Sequence, residues 1–139
     1  MTVFSSQIEL ETRGDADVID VTGHVKKLVE RSKLRDGIGC IFVPGATGSI
    51  TTIEYEPGCI ADLRRLLDQL APERRDYEHE KRWGDGNGHS HLRAALLGPS
   101  LAFPFAKSEP LLGTWQNIVF VDFDNRARSR RLIVKLVGD

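Results

Sequence analysis

Residues 37–56 read GIGCIFVPGATGSITTIEYE. The apolar run from Gly37 to Pro44 predicts a strand that stops at proline, which has no N–H for a sheet ladder. After a turn at Gly45 to Gly48, the β-branched run to Glu56 predicts a second strand. Two strands therefore follow each other with no helix between them. Upstream, Val3 to Thr12 alternates, with Phe4, Ile8 and Leu10 apolar, and reads as a first strand. Asp15 and Asp17 are candidate N-caps of a helix in which Ile19, Val25, Leu28 and Val29 recur, closed by Lys33 to Gly37. Downstream, Pro57-Gly58 breaks the chain. Leu63, Leu66, Leu67 and Leu70 then predict a second helix ending at Pro72. Glu73 to Gly88 is polar and loop-like, and His91 to Leu97 is a short third helix. Leu101 to Phe105, Gly113 to Phe123 and Arg130 to Val137 read as strands, with Asp124-Asn125 the turn of a last hairpin. Strands and helices do not alternate regularly. The expected fold is therefore α+β, one compact domain over 1–139 with a mixed or antiparallel sheet and about three helices.

A chain of 139 residues needs no disulfide or metal merely to fold. Its formal net charge of −1 argues against nonspecific binding to nucleic acid or a membrane surface. The two cysteines, Cys40 and Cys59, have no CxxC spacing. Cys40 reads as a buried small hydrophobe. The first residues alternate like a strand rather than a signal peptide, and no apolar run approaches the roughly 20 residues that span a bilayer. The cytoplasm is the default location.

The chemistry concentrates in residues 85–91, DGNGHSH. His89 and His91 would face the same way in extended chain and apart within a helix. With Ser90 as N-cap, His89 stays outside the helix, His91 enters its first turn, and His79 can reach across the loop. Three imidazoles could then hold a divalent metal, zinc or magnesium. The alternative is a polar loop whose histidines hydrogen-bond to the backbone. Gly86, Asn87 and Gly88 precede a helix start, which favours anions, and Arg93 lies in the first turn or so. Glu54, late in a strand, is a metal ligand, a base, an arginine partner or a solvated edge residue. Arg128 and Arg130 share a strand face and could clamp phosphate, or be a solvated hairpin end. Trp115 reads as core or subunit interface, Gln116 as able to orient a ligand, and His24 as a surface residue.

Four blocks carry a resemblance: TTIEYEPG (51–58), YEHEKRWGDGNGHSHLRAALLGPS (77–100), LLGTWQNIVFVD (111–122) and RARSRR (126–131). Together they resemble the YjbQ-like family, the secondary thiamine-phosphate synthases. The resemblance implies a homotrimer, and a chain this small with Trp115, Phe120 and Phe123 in strands near its C-terminus is expected to bury some of those aromatics between subunits. It implies one polar site near a subunit boundary that includes His79, His89 and His91, with Asn87, Ser100, Glu54 and Gln116 as neighbours. It implies a transferase joining an aminopyrimidine pyrophosphate to a thiazole phosphate with release of pyrophosphate. In that reading the histidines hold metal or pyrophosphate, Glu54 orients the metal or a substrate amine, and Arg93, Arg128 and Arg130 contact the anion. The alternatives are a metal-dependent hydrolase and a trimer that binds a phosphorylated metabolite. One departure stands out. Many relatives carry a histidine before the second strand where this chain has Gly45.

Overall fold

Alternation in the last strand organises the interior. In Arg128–Gly138 (β8), Leu132, Val134 and Leu136 are fully buried, while Arg131, Lys135 and Val137 at alternate positions face outward. The computed structural model describes residues 1–139. Thr2–Thr12 (β1) pairs antiparallel with β8 over its whole length, Thr2 opposite Gly138 and Thr12 opposite Arg128. Gly37–Phe42 (β3) flanks β8 on its other side. Ser100–Ala106 (β5) and the two-residue Glu109–Pro110 (β6) complete a five-stranded sheet in the order β1-β8-β3-β5-β6. A second sheet holds Asp17–Asp20 (β2), Asn117–Asp122 (β7) and Gly48–Ile53 (β4), in the order β2-β7-β4. Every pairing is antiparallel.

The helices are Thr22–Ser32 (α1), Pro57–Leu70 (α2), Glu78–Trp83 (α3) and Gly88–Leu97 (α4). Central strand β7 is buried on both faces, as its continuous apolar run requires. Ile118 and Phe120 join the main core with Val25, Leu28 and Val29 of α1 and the inward residues of the five-stranded sheet. Val119 and Val121, with Phe123 just beyond the strand, pack instead with Leu67 of α2 and Ala94 of α4. The layers are thus large sheet, small sheet, then α2 and α4. No helix is long and apolar enough to cross a membrane.

The α+β expectation holds, with five corrections. Asp17 and Ile19 lie in strand β2, not in a helix, and α1 begins only at Thr22. Residues 78–83 of the expected loop form α3. Asp124-Asn125 does not turn a hairpin, because β7 and β8 belong to different sheets and the chain crosses between layers there. Cys40 points outward from β3. Trp115 is 72% exposed, whereas Phe120 and Phe123 are sealed in their own subunit's interior. Neither phenylalanine can therefore form a subunit interface.

Candidate functional site

Helix α4 begins at Gly88, with Asn87 at its N-cap position, three residues earlier than a cap at Ser90 would place it. Both His89 and His91 therefore lie within the helix. Two residues of helix rotate a side chain by about 200°, so the two rings face opposite ways. His89 is 2% exposed, and its Nδ1 has no hydrogen-bond partner. Burial, assisted by the Arg93 guanidinium, pushes its pKa down and keeps it neutral. His91 is half-buried at the surface.

Three residues converge on the outer side. The His79 and His91 ring centroids are 4.5 Å apart. Asp85 Oδ1 lies 3.0 Å from His79 Nε2. Donor atoms of His79, Asp85 and His91 all fall within 4.8 Å of one another. Each is oriented by a neighbour. His91 Nδ1 lies 3.0 Å from the Ala46 carbonyl oxygen. As that oxygen can only accept, Nδ1 carries the proton and the Nε2 lone pair stays available. The backbone N–H of Asn87 donates to Asp85 Oδ1 at 3.1 Å. That bond, with the His79 ring beside it, holds the Asp85 pKa below the usual carboxylate range. His79 sits on the short helix α3, which packs against α4. Gly88 makes this possible. A Cβ there would lie 2.7 Å from that of Tyr77, and the Gly88 N–H donates to Glu80 Oε1 at 2.7 Å.

His79 and His91 border a cleft of about 400 Å³, lined also by Arg75, Asp76, Tyr77, Glu78, Gly88 and Leu92, while Asp85 stands outside that lining and meets it through His79. The expected three-histidine ligand set is thus corrected. His79 and His91 come together, Asp85 stands third, and His89 is in the interior. Asp85 was in view in DGNGHSH, six residues from each histidine, but only the short helix α3 folds those spacings onto one point.

The expected anion contacts are corrected in part. Arg93 is buried, donating to the Ala71 carbonyl at 2.9 Å and pairing with Asp68 at 2.8 Å. It joins α4 to α2 and cannot reach a ligand. The α4 N-terminus is met by the chain's own Glu80 carboxylate. Arg130 binds fully buried Asp122 through Nε at 2.7 Å and Nη2 at 2.9 Å. Arg128 binds buried Asp124 at 3.1 Å. The two arginines do share a side, but it faces carboxylates of their own chain. The cation that does line the cleft is Arg75.

Asn87 is buried as well. Its Nδ2 donates to Asp124, and its Oδ1 accepts from the Ser90 hydroxyl and the Asn125 N–H. It is a strut beneath Asp85. Glu54 and Gln116 lie at the other end of the small sheet. Glu54 follows β4 and approaches Glu56 and Cys59, and Gln116 bonds Gly113 and Thr52. Six residues of strand separate Glu54 from Gly48, roughly 20 Å. Within one chain Glu54 therefore cannot join the histidine cluster. Ser100, exposed at the start of β5, follows Pro99 on the far side of His91.

A two-sheet antiparallel α+β domain with an outward imidazole–carboxylate cleft defines the class of protein. A family model described as "UPF0047 protein YjbQ-like" matches residues 6–139, and the chain belongs to that family. A UPF0047 protein of Archaeoglobus fulgidus is 36% identical over 129 residues, covering 93% of this chain and 98% of its own length. One from Mycobacterium tuberculosis is 38% identical, covering 85% and 96% respectively. Among solved structures, a YbjQ-like protein of unknown function from Sulfolobus solfataricus superposes with a TM-score of 0.94 at 31% identity, over 99% of both chains. A yjbq/upf0047 family protein from Clostridium acetobutylicum gives 0.87 at 36% identity, over 95% of this chain and 99% of the other.

Proposed function

We propose that this protein is a metal-assisted enzyme acting on a phosphorylated small molecule, and that its reaction is of the thiamine-phosphate synthase type. The observation that carries the reading is the convergence of His79, Asp85 and His91, whose two imidazoles line a cleft that also holds a cation. Two imidazoles and a carboxylate suit zinc and related divalent ions better than magnesium, which prefers an oxygen shell. His91 would bind through Nε2, its other nitrogen fixed by Ala46. Asp85 would bind through the carboxylate that Asn87 orients. A divalent ion there would offset negative charge on a departing phosphate group.

In the synthase reaction the bond between the pyrimidine's methylene carbon and a pyrophosphate oxygen breaks. The electron pair leaves with pyrophosphate, and the thiazole nitrogen takes the vacated position. No proton need be removed at that step, so the main demand on the protein is to stabilise charge and align two molecules. Arg75 is placed to meet the anion. The acidic Asp76 and Glu78 beside it favour a second reading, a metal-dependent phosphate-ester hydrolase, since a carboxylate there could serve as a base. A homotrimer is part of the proposal. The exposed Trp115, with Leu111 58% exposed nearby, is a surface such an assembly would cover.

Calorimetric titration with zinc and magnesium, followed by an assay of thiamine phosphate formation, tests the reading. One ion per chain, lost in His91→Ala and Asp85→Asn but kept in His89→Gln, supports the centre. Product formation that follows the same pattern supports the synthase. Absence of any divalent binding in wild type sinks both enzyme readings.

A further inference from the structure

His91 is a wall shared by two concavities. On one side is the polar cleft with His79 and Arg75. On the other is a pocket of about 240 Å³ whose remaining wall is Gly45, Ala46, Gly48, Ala94, Ala95 and Pro99. Apart from the imidazole, no side chain there exceeds a methyl group or a proline ring. The pocket is fixed in place. The Ser49 hydroxyl donates to the Ala94 carbonyl at 3.0 Å, and the Ile50 N–H donates to the Gly98 carbonyl at 3.3 Å, so β4 and the end of α4 are bonded directly. Gly48 cannot carry a side chain, because its Cβ would lie 2.8 Å from the Phe120 ring. Gly45 is different. A Cβ there would meet only Arg130 Nη1 at 3.5 Å and Val43 at 3.9 Å, so there the absence of a side chain leaves usable space. Nε and Nη2 of Arg130 bind Asp122 and Thr47. Its Nη1 makes no hydrogen bond and lies next to the Gly45 wall.

We propose that this pocket is a subsite for a small planar ring, and that Gly45 sets its size. This deepens the function proposed above: the phosphate-bearing end of the substrate lies in the cleft, and its ring lies beyond His91. The volume is adequate, since an apolar cavity of roughly 150 Å³ already holds benzene. The lining is mostly apolar, as ring burial requires. A π system at that wall also meets the Arg130 guanidinium, a favourable neighbour for an aromatic face. An aliphatic phosphate would leave the pocket to water and gain none of this.

The test compares phenyl phosphate with methyl phosphate, two monoesters that differ in the ring. Calorimetry on wild type, Gly45→Leu and Ala95→Leu reads both affinities, and zinc titration reads the cleft separately. Wild type is expected to prefer phenyl phosphate by about tenfold or more, the effect of burying a ring of this size. Each leucine fills the pocket and should bring that preference to within about twofold of unity, with zinc affinity unchanged. If one variant fails to fold, the other decides. Equal affinity for both esters in wild type, or a preference that survives in every folded variant, overturns the subsite. Ring preference without zinc binding keeps the subsite and removes the metal reading. Zinc binding without ring preference does the reverse.

Discussion

Two regions of this molecule are dense in charged and polar side chains, and they are opposites. Around Asp122 and Asp124, two buried carboxylates meet Arg128, Arg130, Thr12, Thr47 and Asn87, and both Asp122 oxygens accept hydrogen bonds. Around Asp85, one exposed carboxylate meets two imidazoles that line an open cleft, with the His91 Nε2 still free. The first is closed and internally neutralised. The second is open and incomplete. Buried charge that is paired specifies structure, whereas convergent ligand atoms at a surface are available for chemistry. In the sequence both regions read as functional, because residue types alone do not show whether a group already has a partner.

The largest effect should come from breaking the closed region. Arg130→Ala leaves the fully buried Asp122 without its cation, and loss of one partner of a buried pair costs about 3–5 kcal/mol. A urea melt should show the midpoint falling sharply, with zinc affinity unchanged in whatever fraction remains folded. A loss of zinc affinity with full stability would reverse the roles assigned to the two regions.

The open region should behave in the opposite way. His91→Ala should lower zinc affinity by about 100-fold or more, since even the partners that orient a metal's ligands are worth roughly 10–100-fold. Its melt should stay within about 1 kcal/mol of wild type, as the ring is only half-buried. Unchanged zinc affinity would remove the centre.

Acid sharpens the contrast. Burial alone would raise the Asp124 pKa, but hydrogen bonds from Asn87 and Thr47 and the Arg128 charge outweigh it, and the pKa lies below the ordinary aspartate value. Its contribution to stability is therefore complete above about pH 3.9 and is lost as pH falls through the lower folded value. Asp124→Asn should be less stable than wild type at neutral pH and should lose less on acidification across that window. Parallel stability–pH curves for the two proteins would contradict this.

The smallest effect belongs to Arg128→Ala. Its side chain is 36% exposed, so solvent screens its pair with Asp124, and the cost should be at most about 1 kcal/mol. A cost equal to that of Arg130→Ala would show that exposure does not separate the two arginines.

Much of the fold is legible in the chain. β1, β3, β4, α2 and β8 announce themselves through alternation, β-branched runs or leucine spacing. β2 does not. Four residues are too few to establish a period, and Ile19 lies so close before the apolar stripe of α1 that the two read as one segment. Helix α3 is hidden for another reason: none of its six residues is buried, so it leaves no apolar stripe. That omission conceals Asp85, whose approach to His79 and His91 depends on α3. His89 shows how much depends on a cap. Moving the cap of α4 from Ser90 to Asn87 turns one expected ligand inward. Arg128 and Arg130 turn toward Asp124 and Asp122, only four and eight positions away but across the crossing from one sheet to the other, and the inward turn of Arg93 depends on a partner far away in sequence. Asp68 is 25 positions from Arg93, and no local spacing reveals such a pairing.

The strand order also has a consequence for how the chain reaches this structure. β1 pairs only with β8, the last strand, and β8 alone connects β1 to the rest of the five-stranded sheet. During synthesis the first strand emerges long before its only neighbour exists. Residues 2–12 must wait, with backbone donors and acceptors open, until the C-terminal strand leaves the ribosome. Such long-range closure slows folding and leaves an edge available to other chains. The outward polar residues Ser5, Gln7, Glu9 and Glu11 keep that waiting strand hydrated and discourage pairing with a neighbouring chain.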